Sequence, residues 1–149
     1  MKKFLLLANL LVLTAALFAQ GKKAEDVIKF KEMKYDFGKI KQSVPASHDF
    51  VFSNISDAPI IIESTVASCG CTTPVKPEGA VAKGKSDKIT AAYNAGAVGP
   101  FNKTITVKIA GIDAPLQLYI TGEVLTADAF AKYEAEKEKS SKTAKSGSN

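Results

Sequence analysis

Cys69-Gly70-Cys71 places two thiols one residue apart, and they are the only cysteines in this 149-residue chain. Three chemistries suit such a pair. A local disulfide, or two half-buried thiols, would shape a turn, the usual role of cysteine pairs in exported proteins. A redox pair would open and close the bridge. A metal site would use both thiolates, which suit two-coordinate Cu(I) but underfill zinc, with its four ligands. His48, Met33 or the thiols of a second chain would have to complete that site. Along a strand, residues i and i+2 share a face, so both thiols can point the same way. Two extended residues span close to the roughly 6.8 Å allowed between the α-carbons of a disulfide. Gly70 can supply a positive φ to bend the chain between them. Loop entropy credits so small a ring with only about 1.5 kcal/mol. Stability is therefore a weak reason for the pair, and a strained, easily reduced bridge leaves a redox role open. Against that role, neither cysteine opens a predicted helix beside a basic group, the setting that lowers a thiol pKa. Lys76 is the nearest cation in sequence.

Other routes to catalysis are missing. The single histidine, His48, falls at the start of a predicted strand and reads as a strand-edge residue. There is no glycine-rich phosphate loop, no Gly-x-Ser-x-Gly elbow and no pair of histidines at metal spacing. Asp36, Glu63 and Asp113 stand in separate segments, with nothing to mark an acid–base pair. Asn54-Ile55-Ser56 and Asn102-Lys103-Thr104 match the N-glycosylation pattern, which is short enough to arise by chance. Any enzyme activity would have to run through the cysteines, and the expectation is a protein that is not an enzyme.

The elements that must position the thiols begin after an export signal. Lys2 and Lys3 precede an apolar run from Phe4 to Phe18, and Ala19 then precedes Gln20 and a polar stretch. That is the three-part pattern of a signal peptide over residues 1–19, with cleavage between Ala19 and Gln20. Leu17 is a mediocre residue at the third position before that cut. The run is shorter than the roughly 20 residues of a membrane span, so a retained anchor is the weaker reading. No cysteine flanks the cut to carry a lipid. The expected product is soluble, without membrane insertion, in the periplasm, at the cell surface or outside the cell.

About 130 residues remain after the cut, enough for one domain with a real core. The formal charge of +5 misleads, because residues 24–126 hold 11 lysines and 11 acidic residues. The chain has no arginine, the residue best suited to gripping phosphate, so nucleic acid is not an expected partner.

From residue 27 to residue 124, short apolar runs alternate with polar residues and stop at turn residues. Strands are predicted around Val27–Phe30, Tyr35–Phe37 ending at Gly38, and Asp49–Ser53. Another is predicted at Ile60–Ile62, whose β-branched run suits burial on both faces. Lys88–Tyr93, Thr104–Ile109 and Leu116–Ile120, the last ending at Gly122, complete the pattern. Seven or eight such strands, with no long helix between them, predict an all-β antiparallel sandwich over residues 20–125. Thr126 or Asp128 can cap a short helix through residue 139, with Phe130 and Tyr133 on one face. Residues 140–149 are too poor in apolar side chains to stay ordered and are predicted as a disordered tail.

The order of these motifs resembles the bacterial family known as domain of unknown function 1573. Its pattern is matched by Tyr35-Asp36-Phe37-Gly38-Lys39-Ile40 and Phe50-Val51-Phe52-Ser53-Asn54, then by Pro59 and Ile62. The most specific part is Ser68-Cys69-Gly70-Cys71-Thr72-Thr73-Pro74. Tyr93, Gly99-Pro100-Phe101-Asn102-Lys103, Ile105, Val107, Leu118, Ile120, Gly122 and Val124 follow. The resemblance covers about residues 33 to 125 and implies an immunoglobulin-like domain, similar to those of major sperm protein and Hydin. Such domains mostly bind or assemble, so it implies a protein partner and no cofactor. Asp57 stands where a turn glycine is common, and Lys83-Gly84 replaces an expected Pro-Gly turn. The rival expectation is a thiol-redox or copper-handling protein acting through Cys69 and Cys71.

Overall fold

Buried and open positions alternate along the chain and divide it into eight strands. The computed structural model describes residues 22–146, with side chains described through residue 140. The expected signal peptide and its Ala19/Gln20 cut lie outside the described residues, as do residues 147–149. After a short 3-10 turn at Ala24–Asp26 come β1 (Ile28–Phe30), β2 (Lys34–Lys41), β3 (Ala46–Asn54) and β4 (Ile62–Ala67). β5 (Thr72–Val75), β6 (Ser86–Tyr93), β7 (Gly99–Ile109) and β8 (Leu116–Leu125) follow, then helix α1 (Ala127–Ser146).

The strands form two four-stranded sheets, β1-β3-β6-β5 and β2-β8-β7-β4, the expected sandwich. Inward residues of both sheets fill the space between them. Phe50, Phe52, Ile62, Ile89, Ile105, Val107, Leu118, Ile120 and Val124 are fully buried. Each contributes roughly 1.5–3 kcal/mol of transfer free energy. One pairing departs from the antiparallel expectation: β2 runs parallel to β8. The chain passes from β1 in the first sheet to β2 in the second across residues 31–33 alone.

Four further expectations are corrected. Ile60–Ile62 is not buried on both faces. Ile60 bridges to Val81, Ile61 is 48% exposed and only Ile62 enters β4, because β4 is an edge strand with one face in water. β2 and β8 do not stop at Gly38 and Gly122 but run through them. At Gly38 a bulge with φ of 64° absorbs the irregularity, and the Asp36 carboxylate accepts the Gly38 N–H at 2.9 Å. Thr72–Val75 forms a strand that its Pro74 concealed, since proline is admitted only at a sheet edge. Finally, α1 continues to Ser146, past the expected end at residue 139 and into the expected tail. Its Lys, Ala, Ser and Thr residues all permit a helix, and the first strong breaker in sequence is Gly147.

Thr126 is the N-cap, its hydroxyl accepting the Ala129 N–H at 3.3 Å. Half-buried Tyr133 lies beneath Lys39 of β2, whose ammonium is 4.9 Å from the ring centre. From Glu134 to Ser140 every residue is exposed. Among the described residues, no helix is long and apolar enough to cross a membrane.

Candidate functional site

Cys69 and Cys71 do not lie on a strand. They occupy the turn where the chain leaves β4, at the edge of one sheet, and enters β5, at the edge of the other. The change of sheet breaks the strand geometry on which alternation depends. The thiols are joined as a disulfide, with α-carbons 5.3 Å apart. The Thr72 N–H donates to the Cys69 carbonyl at 3.3 Å, which closes the turn. Two bonds tie the corner to β7: the Ser68 N–H donates to the Thr104 carbonyl at 2.9 Å, and the Thr104 N–H to the Ser68 hydroxyl at 3.1 Å. On the other side the Asn94 N–H donates to the Cys71 carbonyl at 3.0 Å. Cys71 packs half-buried against the core, and Gly70 is exposed.

Gly70 does not use the positive φ expected of it, and an added Cβ would meet nothing within 4 Å. The bend is made by the turn and its anchors, so it does not require glycine.

Three loops stand together at this end of the sandwich: 42–45, 68–71 and 94–98, linked through Asn94 to Cys71 and through the Ser43 N–H to the Ala95 carbonyl. They contain no charged residue, in a chain that is 23% charged. No cation in these loops can stabilise a thiolate. Lys76 lies beyond the far end of β5, where its ammonium meets the Pro77 carbonyl at 3.5 Å.

The structure does not bring the other candidate ligands to the thiols. His48 is in β3, two strands from β5, and Met33 precedes β2 at the opposite side of the sandwich. Two strand spacings alone are roughly 10 Å. His48 pairs with Ala91 of β6 on one side, while β1 meets β3 only at residues 52–54. Its ring points between the sheets, stacked 3.6 Å from Tyr35 and edge-on to Phe50. Its Nε2 approaches the Glu32 carboxylate to 3.1 Å but is not aligned for a hydrogen bond, so the contact is close yet poorly directed. Among the described residues, no three His, Cys, Asp or Glu side chains cluster as a metal site.

Of the two glycosylation matches, Asn54 is excluded as an acceptor. It is buried, donates to the Ala58 and Val81 carbonyls at 2.8 Å, and accepts from the Ser56 N–H and hydroxyl. Asn102 stands exposed on β7.

The sequence pointed to the sheet edges as places for a partner strand but could not say which strands are edges; the open one beside the corner is β4. Of the four sheet edges, β1 offers three residues, and β5 four with a proline. β2 is bulged and has α1 against it. β4 has one irregularity, beside Glu63, but is longer than β1 and β5, contains no proline and, among the described residues, has no paired strand on its outer side. Its pairing with β7, together with the bond from Ser68 to Thr104, sets the alternation. Val66 and Ser64 bond inward to β7, while Thr65 and Ala67 turn their N–H and C=O groups to the open side. Val66 is 60% exposed, the highest value among the large apolar side chains of the described residues.

The sequence pattern of the proteins of unknown function grouped as DUF1573 matches residues 28–124, nearly the whole sandwich. The chain belongs to the DUF1573 family. No curated protein matches it. This DUF1573 domain is similar in structure to the ASH/PapD-like domain 7 of human CEP192, with a TM-score of 0.60 and 9% identity, over 73% of this chain and 92% of that one. It is also similar to a Porphyromonas gingivalis protein of unknown function, with a TM-score of 0.55 and 13% identity, over 65% of this chain and 46% of that one. The chain thus spans less than half of that protein's length. A third likeness is to the VesB protease of Vibrio cholerae, with a TM-score of 0.52 and 13% identity, over 68% of this chain and 33% of that one. At such identities the likeness shows the fold alone, an immunoglobulin-like sandwich. The two family departures meet in space: Lys83 bonds Asp57 at 2.6 Å. Both groups are exposed, so the pair adds little stability.

Proposed function

We propose that this DUF1573 domain is an exported binding or assembly module of the periplasm or cell surface, which engages a partner by adding a strand along β4. The observation that supports the reading is the open β4 edge, whose Thr65 and Ala67 backbone groups have no partner strand among the described residues. Main-chain bonds to a free sheet edge supply affinity, and side chains at alternate positions supply selectivity. The disulfide corner ties the end of β4 to β5 and suits an oxidising compartment. The lysine-led apolar run before Ala19 supports export. Domains of PapD-like fold host varied functions, so the fold supports binding only as an analogy.

The test is a photoreactive residue placed at Val66 and, as a control on the outer face of β8, at Gln117, in cells that export the protein. A discrete adduct from position 66 and none from 117 supports the module; silence at both removes its basis. Replacing both cysteines by serine separates the module from thiol or copper chemistry. The module keeps its adduct in that variant, whereas activity that depended on the thiols would vanish.

A further inference from the structure

We infer that two copies of this chain pair through their β4 edges, antiparallel about a two-fold axis at Val66. The inference rests on the strand-addition reading above and names the partner.

In an antiparallel pair, residues opposite each other share a face, so a two-fold axis must pass through one residue and its own copy. Set at Val66, that axis places Thr65 opposite Ala67 of the second copy, and Ala67 opposite its Thr65. These are the residues whose N–H and C=O groups face outward, so each pair exchanges two bonds and all four groups on each chain are used. Val66 then faces Val66 of the second copy as a non-hydrogen-bonded pair, the closer of the two antiparallel arrangements. The most exposed large apolar side chain of the domain is thereby covered by its own copy. Ser64 falls opposite Ser68 of the second copy.

Charge permits this register. The single charged residue of β4 is Glu63, which is paired with Lys108 of β7 at 3.2 Å. In the two-fold register it falls opposite Cys69, so no like charges meet. The corner and the adjoining loop 94–98 are uncharged as well. The paired segment is short, and the Glu63 bulge ends it on one side, so the association is weak and depends on concentration.

The experiment uses the chain purified after export. Sedimentation across a concentration series should show a mass rising towards about twice that of the monomer. Val66→Lys puts two ammonium groups opposite each other at a position already in water, and should abolish the rise with the melting temperature unchanged. Val66→Cys should form a dimer on mild oxidation, with the new disulfide joining position 66 of both copies in peptide maps, while Val75→Cys on the β5 edge should not. A monomer at every concentration overturns the inference, as does a Val66→Cys dimer no more abundant than the Val75→Cys one. If position 66 then cross-links in cells to a different protein, the module reading survives while the second copy is ruled out. If it cross-links to nothing, both fail.

Discussion

A methyl group added at Gly122 would lie 2.7 Å from the Phe101 ring and 2.9 Å from the Gly38 carbonyl oxygen, and the latter belongs to backbone that cannot swing aside. Gly122→Ala should therefore cost about 1–3 kcal/mol, read as a lower urea midpoint. Gly70→Ala meets nothing and should stay within about 0.5 kcal/mol of the parent. A large loss at Gly70 would show that the corner needs glycine after all. Asp49 is the other residue with a measurable signature. The Lys88 ammonium donates to it at 2.7 Å and the Thr90 hydroxyl at 2.6 Å, and together they hold its carboxyl below the ordinary value. Asp49 in turn raises Lys88. The Asp49 share of stability is present above the ordinary carboxylate value and lost as pH falls through the depressed one. The Lys88 share is present below the ordinary lysine value and lost as pH rises through the raised one. Both groups are exposed, so salt weakens the pair. In Lys88→Met, the NMR titration of Asp49 should move up towards that of a free carboxylate; an unmoved midpoint would assign the depression to Thr90.

At the scale of elements, α1 begins with two half-buried aromatic residues and continues through an exposed stretch. Phe130 and Tyr133 are half-buried, whereas residues 134–140 are exposed. Truncation after residue 133 should leave the melting temperature nearly unchanged. Removing the whole segment from Thr126 should cost about 1–2 kcal/mol, from the lost apolar contacts and the Lys39–Tyr133 contact. Equal losses from both truncations would mean that the far half also holds the domain. Elements with clean alternation, such as Thr104–Ile109, were legible in the sequence because period two reports directly on one buried face. β5 was not, because Pro74 argues against a strand unless its place at an edge is known.

Across the whole molecule, the disulfide closes a very short loop and leaves most of the stabilisation to the core between the sheets. Replacing Cys69 and Cys71 together by serine should lower stability by about 1.5 kcal/mol and preserve the fold. Denaturant unfolding checks this, and a collapse to an unfolded chain would make the bridge essential. The loss is modest because Ser68, Thr72 and the bond from Asn94 still hold the corner.

The sequence by itself determined the sandwich class, most strand positions, the neutrality of the domain and the closeness of its two thiols. These are local properties, written in residue type and spacing within a few positions. The tertiary structure decided which side chains face water, so that Ile61 lies open, and which strands are edges, so that β4 has no outer strand among the described residues. It also decided that Cys69 and Cys71 turn a corner between sheets, far from His48 and Met33. Strand order comes from pairings between residues tens of positions apart, and such pairings leave no local mark on the chain.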